Sequence, residues 1–250
     1  MTANAALGVP RAATEPPMTF PSGPLLFLPG LLNDAVLWRG PIAALADRAA
    51  AAVADLTLDD SVAAMARRAL AAAPPRFGLV ALSMGGYVAF EILRQAPERV
   101  TRLALFDTGA APEDAAHAAL RRQGMEQIKV GRFAGVTTRL LPKLVHASHV
   151  AGPVGDAVKA MAERVGGEAF LRQQRAILAR PDSRPTLATI RVPTLVAVGA
   201  DDVLTPPALA QEIHAGIPGS RLHVLTECGH LPPLERPEGT AALLREWLDA

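Results

Sequence analysis

Three kinds of side chain in this sequence have the order and setting of a nucleophile, an acid and a base. Ala81-Leu82-Ser83-Met84-Gly85 lies between an apolar run at 77–82 that reads as a strand and an apolar run at 87–95 that reads as a helix. A serine on so tight a strand-to-helix turn exposes its hydroxyl at the carboxyl edge of a sheet. Small neighbours are required there because the two backbones nearly touch. The usual pentapeptide is G-x-S-x-G; Ala81 takes the first place and adds one methyl. On its own Ser83 reads equally as a helix cap. The strand before it and Gly85-Gly86 after it favour the nucleophile.

A hydroxyl needs a base to become nucleophilic, and the base needs an acid to orient it. Asp201 and Asp202 both follow the apolar run 193–198, in Gly199-Ala200-Asp201-Asp202-Val203-Leu204-Thr205-Pro206. Of the 6 histidines, His117, His146 and His149 fall in a helical region, His214 in a helix-like segment and His223 within a strand. His230, in Cys228-Gly229-His230-Leu231-Pro232, is the one in a post-strand loop downstream of both the serine and the acids. Cys228 beside it reads as a small packing residue rather than a thiol nucleophile.

These groups need a scaffold that brings strand ends to one edge. Leu25-Leu26-Phe27-Leu28, closed by Pro29-Gly30, is a short run suited to a strand buried on both faces. A helix is expected over 41–50, a strand over 51–55, and a helix over 61–73 capped by Ser61. Strands follow at 77–82 and 102–107, with the helix 87–95 between them, stopped by Pro97. Alternation at this spacing implies βαβ units and a parallel sheet. From 109 to 181 the rhythm becomes helical, cut by Pro142, Pro153 and Gly166-Gly167. Strands return at 193–198 and 221–225, and a helix at 237–248 closes the chain. The expected organisation is an α/β core of residues 25–108 and 182–250, a helical cap at 109–181 inserted into it, and a flexible extension at 1–24.

Composition narrows the classes of partner. The 250 residues carry 25 basic and 24 acidic side chains, with no basic run to suggest nucleic acid. One cysteine allows no intrachain disulfide and no multi-thiolate metal site. The proline-broken start lacks the basic and then apolar order of a secretory signal, and Met1 and Met18 both stand as possible starts. No apolar run reaches the roughly 20 residues of a membrane helix. The expectation is a cytoplasmic protein with no membrane or nucleic-acid partner.

The elbow around Ser83, the G-x-x-D loop and the Cys228-Gly229-His230 segment followed by Glu235-Arg236-Pro237 resemble the α/β-hydrolase superfamily, in its branch of small serine esterases and lactonases, from Leu25 onward. The resemblance implies a mostly parallel, eight-stranded sheet and hydrolysis through an acyl-enzyme. It implies Ser83, Asp202 and His230 as the catalytic triad, with Asp202 favoured over Asp201 by the G-x-x-D-x-x-x-P spacing. It implies an oxyanion hole made by the backbone amides of Met84 and of Leu31 in the Pro29-Gly30-Leu31 turn. No metal and no cofactor are expected. The substrate would be a small carboxylic ester, or alternatively an enol-lactone, a thioester or a cleavable C–C bond. A ligand-binding protein without turnover is the alternative of another class. The chain departs from the relatives at 55–61, where Asp55-Leu56-Thr57-Leu58-Asp59-Asp60-Ser61 lacks their glycines, and strands before Leu25 are expected to be missing or irregular. Asn33 and Asp34 either touch substrate or close the turn. Trp38 is expected to pack, and Arg121, Arg122, Arg172 and Arg175 to lie on solvated helix faces.

Overall fold

A computed structural model describes residues 22–130 and 133–250. The expected extension at 1–24 therefore falls largely outside the described residues; Ser22 donates its amide to Arg48 O just before the first strand.

In chain order the strands are β1 (Leu25–Leu28), β2 (Ala51–Val53), β3 (Phe77–Leu82), β4 (Val100–Phe106), β5 (Thr194–Gly199) and β6 (Arg221–Leu225). The helices are α1 (Arg39–Ala44), α2 (Val62–Ala72), α3 (Met84–Gln95), α4 (Ala115–Val130), α5 (Pro153–Leu178), α6 (Arg184–Leu187), α7 (Pro207–Gly216), α8 (Pro232–Glu235) and α9 (Pro237–Leu248). The strands form one parallel sheet in the order β2-β1-β3-β4-β5-β6. Six strands, not eight, make up the sheet among the described residues, because the strand series starts at Leu25 and nothing between Ser22 and Leu25 pairs as a strand.

The central strands are buried on both faces, which is why they read as unbroken apolar runs. Side chains still alternate between two cores, as the pleat requires. Phe77, Leu79 and Ala81 of β3 face one core with α2, α3 and α7, while Val80 and Leu82 face the other with α9. Leu103 and Leu105 of β4 divide from Ala104 and Phe106 in the same way. Trp38 is a packing residue, fully buried between Phe27 and Phe106.

The strand expected over 51–55 ends at Val53, the one expected over 102–107 spans Val100–Phe106, and two helix boundaries also differ from the sequence expectation. The helix expected over 41–50 is α1, earlier and shorter, preceded by a 3-10 turn at Ala35–Trp38. The cap belongs to that 3-10 turn: the Asp34 carboxylate accepts from the Val36 amide, and α1 itself has no side-chain cap. The helix after the elbow starts at Met84 rather than at Tyr87, since Ser83 itself makes the turn. Ser61 caps α2 through the Ala64 amide, as expected.

Between β4 and β5 the described residues form helices and turns and no strand. The Gly166-Gly167 pair appears as a kink within α5, where Gly166 adopts φ +77°. Among the described residues no helix is long and apolar enough to cross a membrane.

Candidate active site

Four neighbouring strands, β3, β4, β5 and β6, deliver polar side chains to one edge of the sheet. Ser83 directly follows β3 and holds φ +54°, ψ −118°, a backbone conformation that costs a non-glycine residue of order 1–3 kcal/mol and is kept only where its surroundings fix it. Three hydrogen bonds fix it here. The Ser83 amide donates to Phe106 O at 3.0 Å, and the Ser83 carbonyl accepts from the Gly86 amide at 2.8 Å and from the Thr108 hydroxyl at 2.8 Å. The elbow also needs Gly85: a Cβ there would lie 2.4 Å from Leu28 O, so no side chain fits between α3 and β1.

The Ser83 hydroxyl is 2.9 Å from His230 Nε2, and His230 Nδ1 is 2.8 Å from Asp202 Oδ2. The acid fixes the tautomer: Nδ1–H donates to the carboxylate, which leaves Nε2 to accept from the serine. Both His230 and Asp202 are buried. Burial opposes ionisation of Asp202, but the charge and hydrogen bond of His230, with the hydroxyl and amide hydrogen bonds of Thr205, outweigh it and hold the carboxyl below the usual range. Its four donors are His230 Nδ1, the Thr205 hydroxyl at 2.6 Å, the Leu204 amide at 2.8 Å and the Thr205 amide at 3.1 Å. Asp201 is exposed, and its amide donates to Cys228 O. Of the two acids, the structure brings Asp202 to the histidine.

The loop bearing His230 is held by a residue whose role the sequence did not disclose. The buried Glu235 carboxylate accepts from the amides of Gly229 at 3.0 Å, Leu231 at 2.9 Å and His146 at 2.7 Å. The His230 amide donates to Leu144 O at 3.1 Å, so the helical insertion also holds the base. Gly199 lets this loop sit on β5, since a Cβ there would lie 2.0 Å from Gly229 O. An acid five residues after a loop histidine, in a helix of one turn, was the available signal.

The two residues expected to supply oxyanion donors follow β3 and β1, which are neighbours in the sheet. Met84 is the first residue of α3, so its amide is one of the orphan donors of the helix end. Leu31 lies in the turn after β1, and the next residue, Leu32, has φ +59°. That turn is tied to α5: the fully buried Gln173 accepts the Leu32 amide at 3.1 Å and donates to Leu56 O at 3.1 Å.

The remaining candidates are structural. Asp34 caps its turn and pairs with Arg164 of α5 at 2.7 Å. Asn33 is buried beside Gly30. Arg122 and Arg175 are exposed, but Arg121 and Arg172 are not simply solvated. Arg121 pairs with Glu113 and Gln174, and Arg172 donates to Thr57 O. The Cys228 thiol is fully buried, and burial pushes its ionisation far up, the opposite of a nucleophile's setting.

Comparison with known proteins gives a consistent result. The sequence model described as the alpha/beta hydrolase family matches residues 25–243. A pimeloyl-[acyl-carrier protein] methyl ester esterase of Neisseria meningitidis is 30% identical over 179 residues, which cover 67% of each chain. The malate-bound structure of a thermophilic esterase from Thermogutta terrifontis superposes with a TM-score of 0.83 at 29% identity, over 92% of this chain and 91% of that one. The enol-lactonase of Burkholderia xenovorans LB400 shares the fold, with a TM-score of 0.72 at 22% identity over 91% of this chain and 92% of that one.

Proposed function

The chain belongs to the alpha/beta hydrolase family, and from that premise we propose that it is a serine hydrolase cleaving small-molecule carboxylic esters through an acyl-enzyme. The observation that carries this reading is the unbroken hydrogen-bond chain Ser83–His230–Asp202 at 2.9 and 2.8 Å. The esterase names of the Neisseria and Thermogutta relatives support the ester bond as the target.

In this mechanism the Ser83 oxygen attacks the ester carbonyl while its proton passes to His230 Nε2. Asp202 holds the imidazole in register and stabilises the imidazolium. The carbonyl oxygen gains negative charge between the Leu31 and Met84 amides, whose fixed orientation means no reorganisation at the moment of reaction. His230 then returns its proton to the leaving alcohol. Water, deprotonated by the same nitrogen, releases the acid and restores Ser83. Every proton and electron pair is accounted for by Ser83, His230, the ester and one water. Residues 109–181 act as a cap over this edge, and the cap, rather than the triad, sets which acyl and alcohol groups fit. A cytoplasmic setting agrees with the lone, unpaired Cys228.

The test is hydrolysis of a p-nitrophenyl ester series of rising acyl length, by wild type and Ser83→Ala, beside labelling with a fluorophosphonate. Loss of the serine should lower kcat on the order of 10⁵–10⁶-fold and abolish labelling. Wild type that neither turns over any ester nor labels at Ser83 would sink the proposal.

A further inference from the structure

A fourth ionisable group stands at the same sheet edge, and the mechanism above does not use it. Asp107 directly follows β4, between the strands that carry Ser83 and Asp202, and is 1% exposed. It holds φ +44°, a conformation uncommon for a non-glycine residue and suggestive of a site where side-chain direction matters. Its Oδ1 accepts the Gly199 amide at 2.9 Å, while Oδ2 is buried without a partner. One carboxyl oxygen each from Asp107 and Asp202 and one ring nitrogen of His230 lie within 4.8 Å of one another. The groups that bear on Asp107 are Asp202 after β5, His230 and Cys228 after β6, and Glu235 in α8.

Two carboxylates this close and this dry cannot both be ionised. The hydrogen bonds decide which one keeps the charge: Asp202 has four donors, and Asp107 has one. Burial, and then the charge on Asp202, push the Asp107 carboxyl well above the ordinary range. A neutral carboxylic acid is also the form in which an orphan oxygen becomes a donor. Metal binding is a poorer use of the trio, because both His230 nitrogens are engaged, Nδ1 by Asp202 and Nε2 by Ser83.

We infer that Asp107 is a positioning residue of the proposed triad, a neutral carboxylic acid whose Oδ2 proton is directed at the Asp202 carboxylate and steadies it against His230. This rests on the serine-hydrolase reading for its catalytic meaning, but not for the protonation of Asp107 itself.

The experiment compares Asp107→Asn, which keeps a donor in the same place, with Asp107→Leu, which keeps only bulk. With p-nitrophenyl acetate, Asp107→Asn should hold kcat within about threefold of wild type, whereas Asp107→Leu should lower it about tenfold with KM little moved. Urea unfolding across pH 5–9 supplies the second arm. A carboxyl whose folded pKa is raised stabilises the fold below its unfolded value, and that contribution is lost as pH climbs toward the folded value. Wild type should therefore lose stability relative to Asp107→Asn as pH rises through this window. An asparagine variant as impaired as the leucine one, or stability curves that run parallel, overturns the inference. Failure of wild type to label with fluorophosphonate removes the hydrolase reading instead, and the unfolding arm then decides by itself whether Asp107 holds its proton.

Discussion

Adjacent residues of one type can differ completely in consequence, as Asp201 and Asp202 show. Asp201 is exposed, whereas Asp202 is buried and takes four hydrogen bonds, so replacing them should separate cleanly. Asp202→Asn should lower kcat about 10⁴-fold, because an amide offers the imidazole the wrong partner and frees the wrong tautomer. Asp201→Asn should leave kcat within about twofold, as surface substitutions usually do; equal losses in the two variants would mean that the acid has been misassigned. The Asp202 pairing also has a pH signature of opposite sign to that of Asp107. A carboxyl held below its ordinary range contributes stability above that range, lost only as pH falls through the depressed folded value. Ser83 and His230 were legible in the sequence because each sits in a short contiguous motif. Asp107 was not, since its meaning depends on β5 lying beside β4 with Gly199 and Asp202 at its end. The usable clue was an acid ending the strand next to the nucleophile's, on the same edge of a parallel sheet.

Elements in this fold are positioned by a few side chains that reach far along the chain. Gln173 of α5 bonds Leu32 and Leu56, positions 141 and 117 residues away in sequence, and so fastens that helix to the turn that carries the Leu31 amide. Gln173→Leu leaves a buried donor and a buried acceptor unpaired, which should cost about 2–4 kcal/mol in urea unfolding. If the strap also aims the Leu31 amide, affinity for a boronic acid that mimics the tetrahedral intermediate should fall further than KM rises. A loss of stability with unchanged boronate affinity would leave Gln173 as a fastener only. Strand positions could be read from composition because burial on both faces writes itself as a continuous apolar run. Strap residues could not, because a glutamine on an amphipathic helix looks the same whether it faces water or a backbone amide. The helix expected over 41–50 was found as α1 but its start and length were not legible, for a related reason: the Asp34 cap and the 3-10 turn at Ala35–Trp38 absorb residues whose apolar spacing fits no regular helix.

At the scale of the whole molecule, the site is an edge property of the sheet, and its stability should follow that of the core. The alternation of strands and helices was enough to imply a parallel sheet and an inserted helical block, but the number of strands was not, because family resemblance implied eight where the described residues form six. What joins sheet, insertion and base is the loop Cys228–His230: Cys228 packs in the core beneath it, Glu235 bonds its amides, and Leu144 of the insertion accepts from His230. Cys228 therefore reports on whether this junction opens alone or only with the whole fold. Its thiol is fully buried and its ionisation strongly suppressed by that burial, so alkylation requires opening. Native protein should react with iodoacetamide on the order of 10³-fold more slowly than urea-unfolded protein, and the residual rate should rise with urea in step with loss of tryptophan fluorescence. Under that outcome the base is held by the global fold, and mutations anywhere in the core should lower stability without changing kcat of the surviving folded fraction. Rapid labelling while the fluorescence remains native would mean instead that the histidine loop opens as a local unit, and core mutations far from it would then leave the labelling rate untouched.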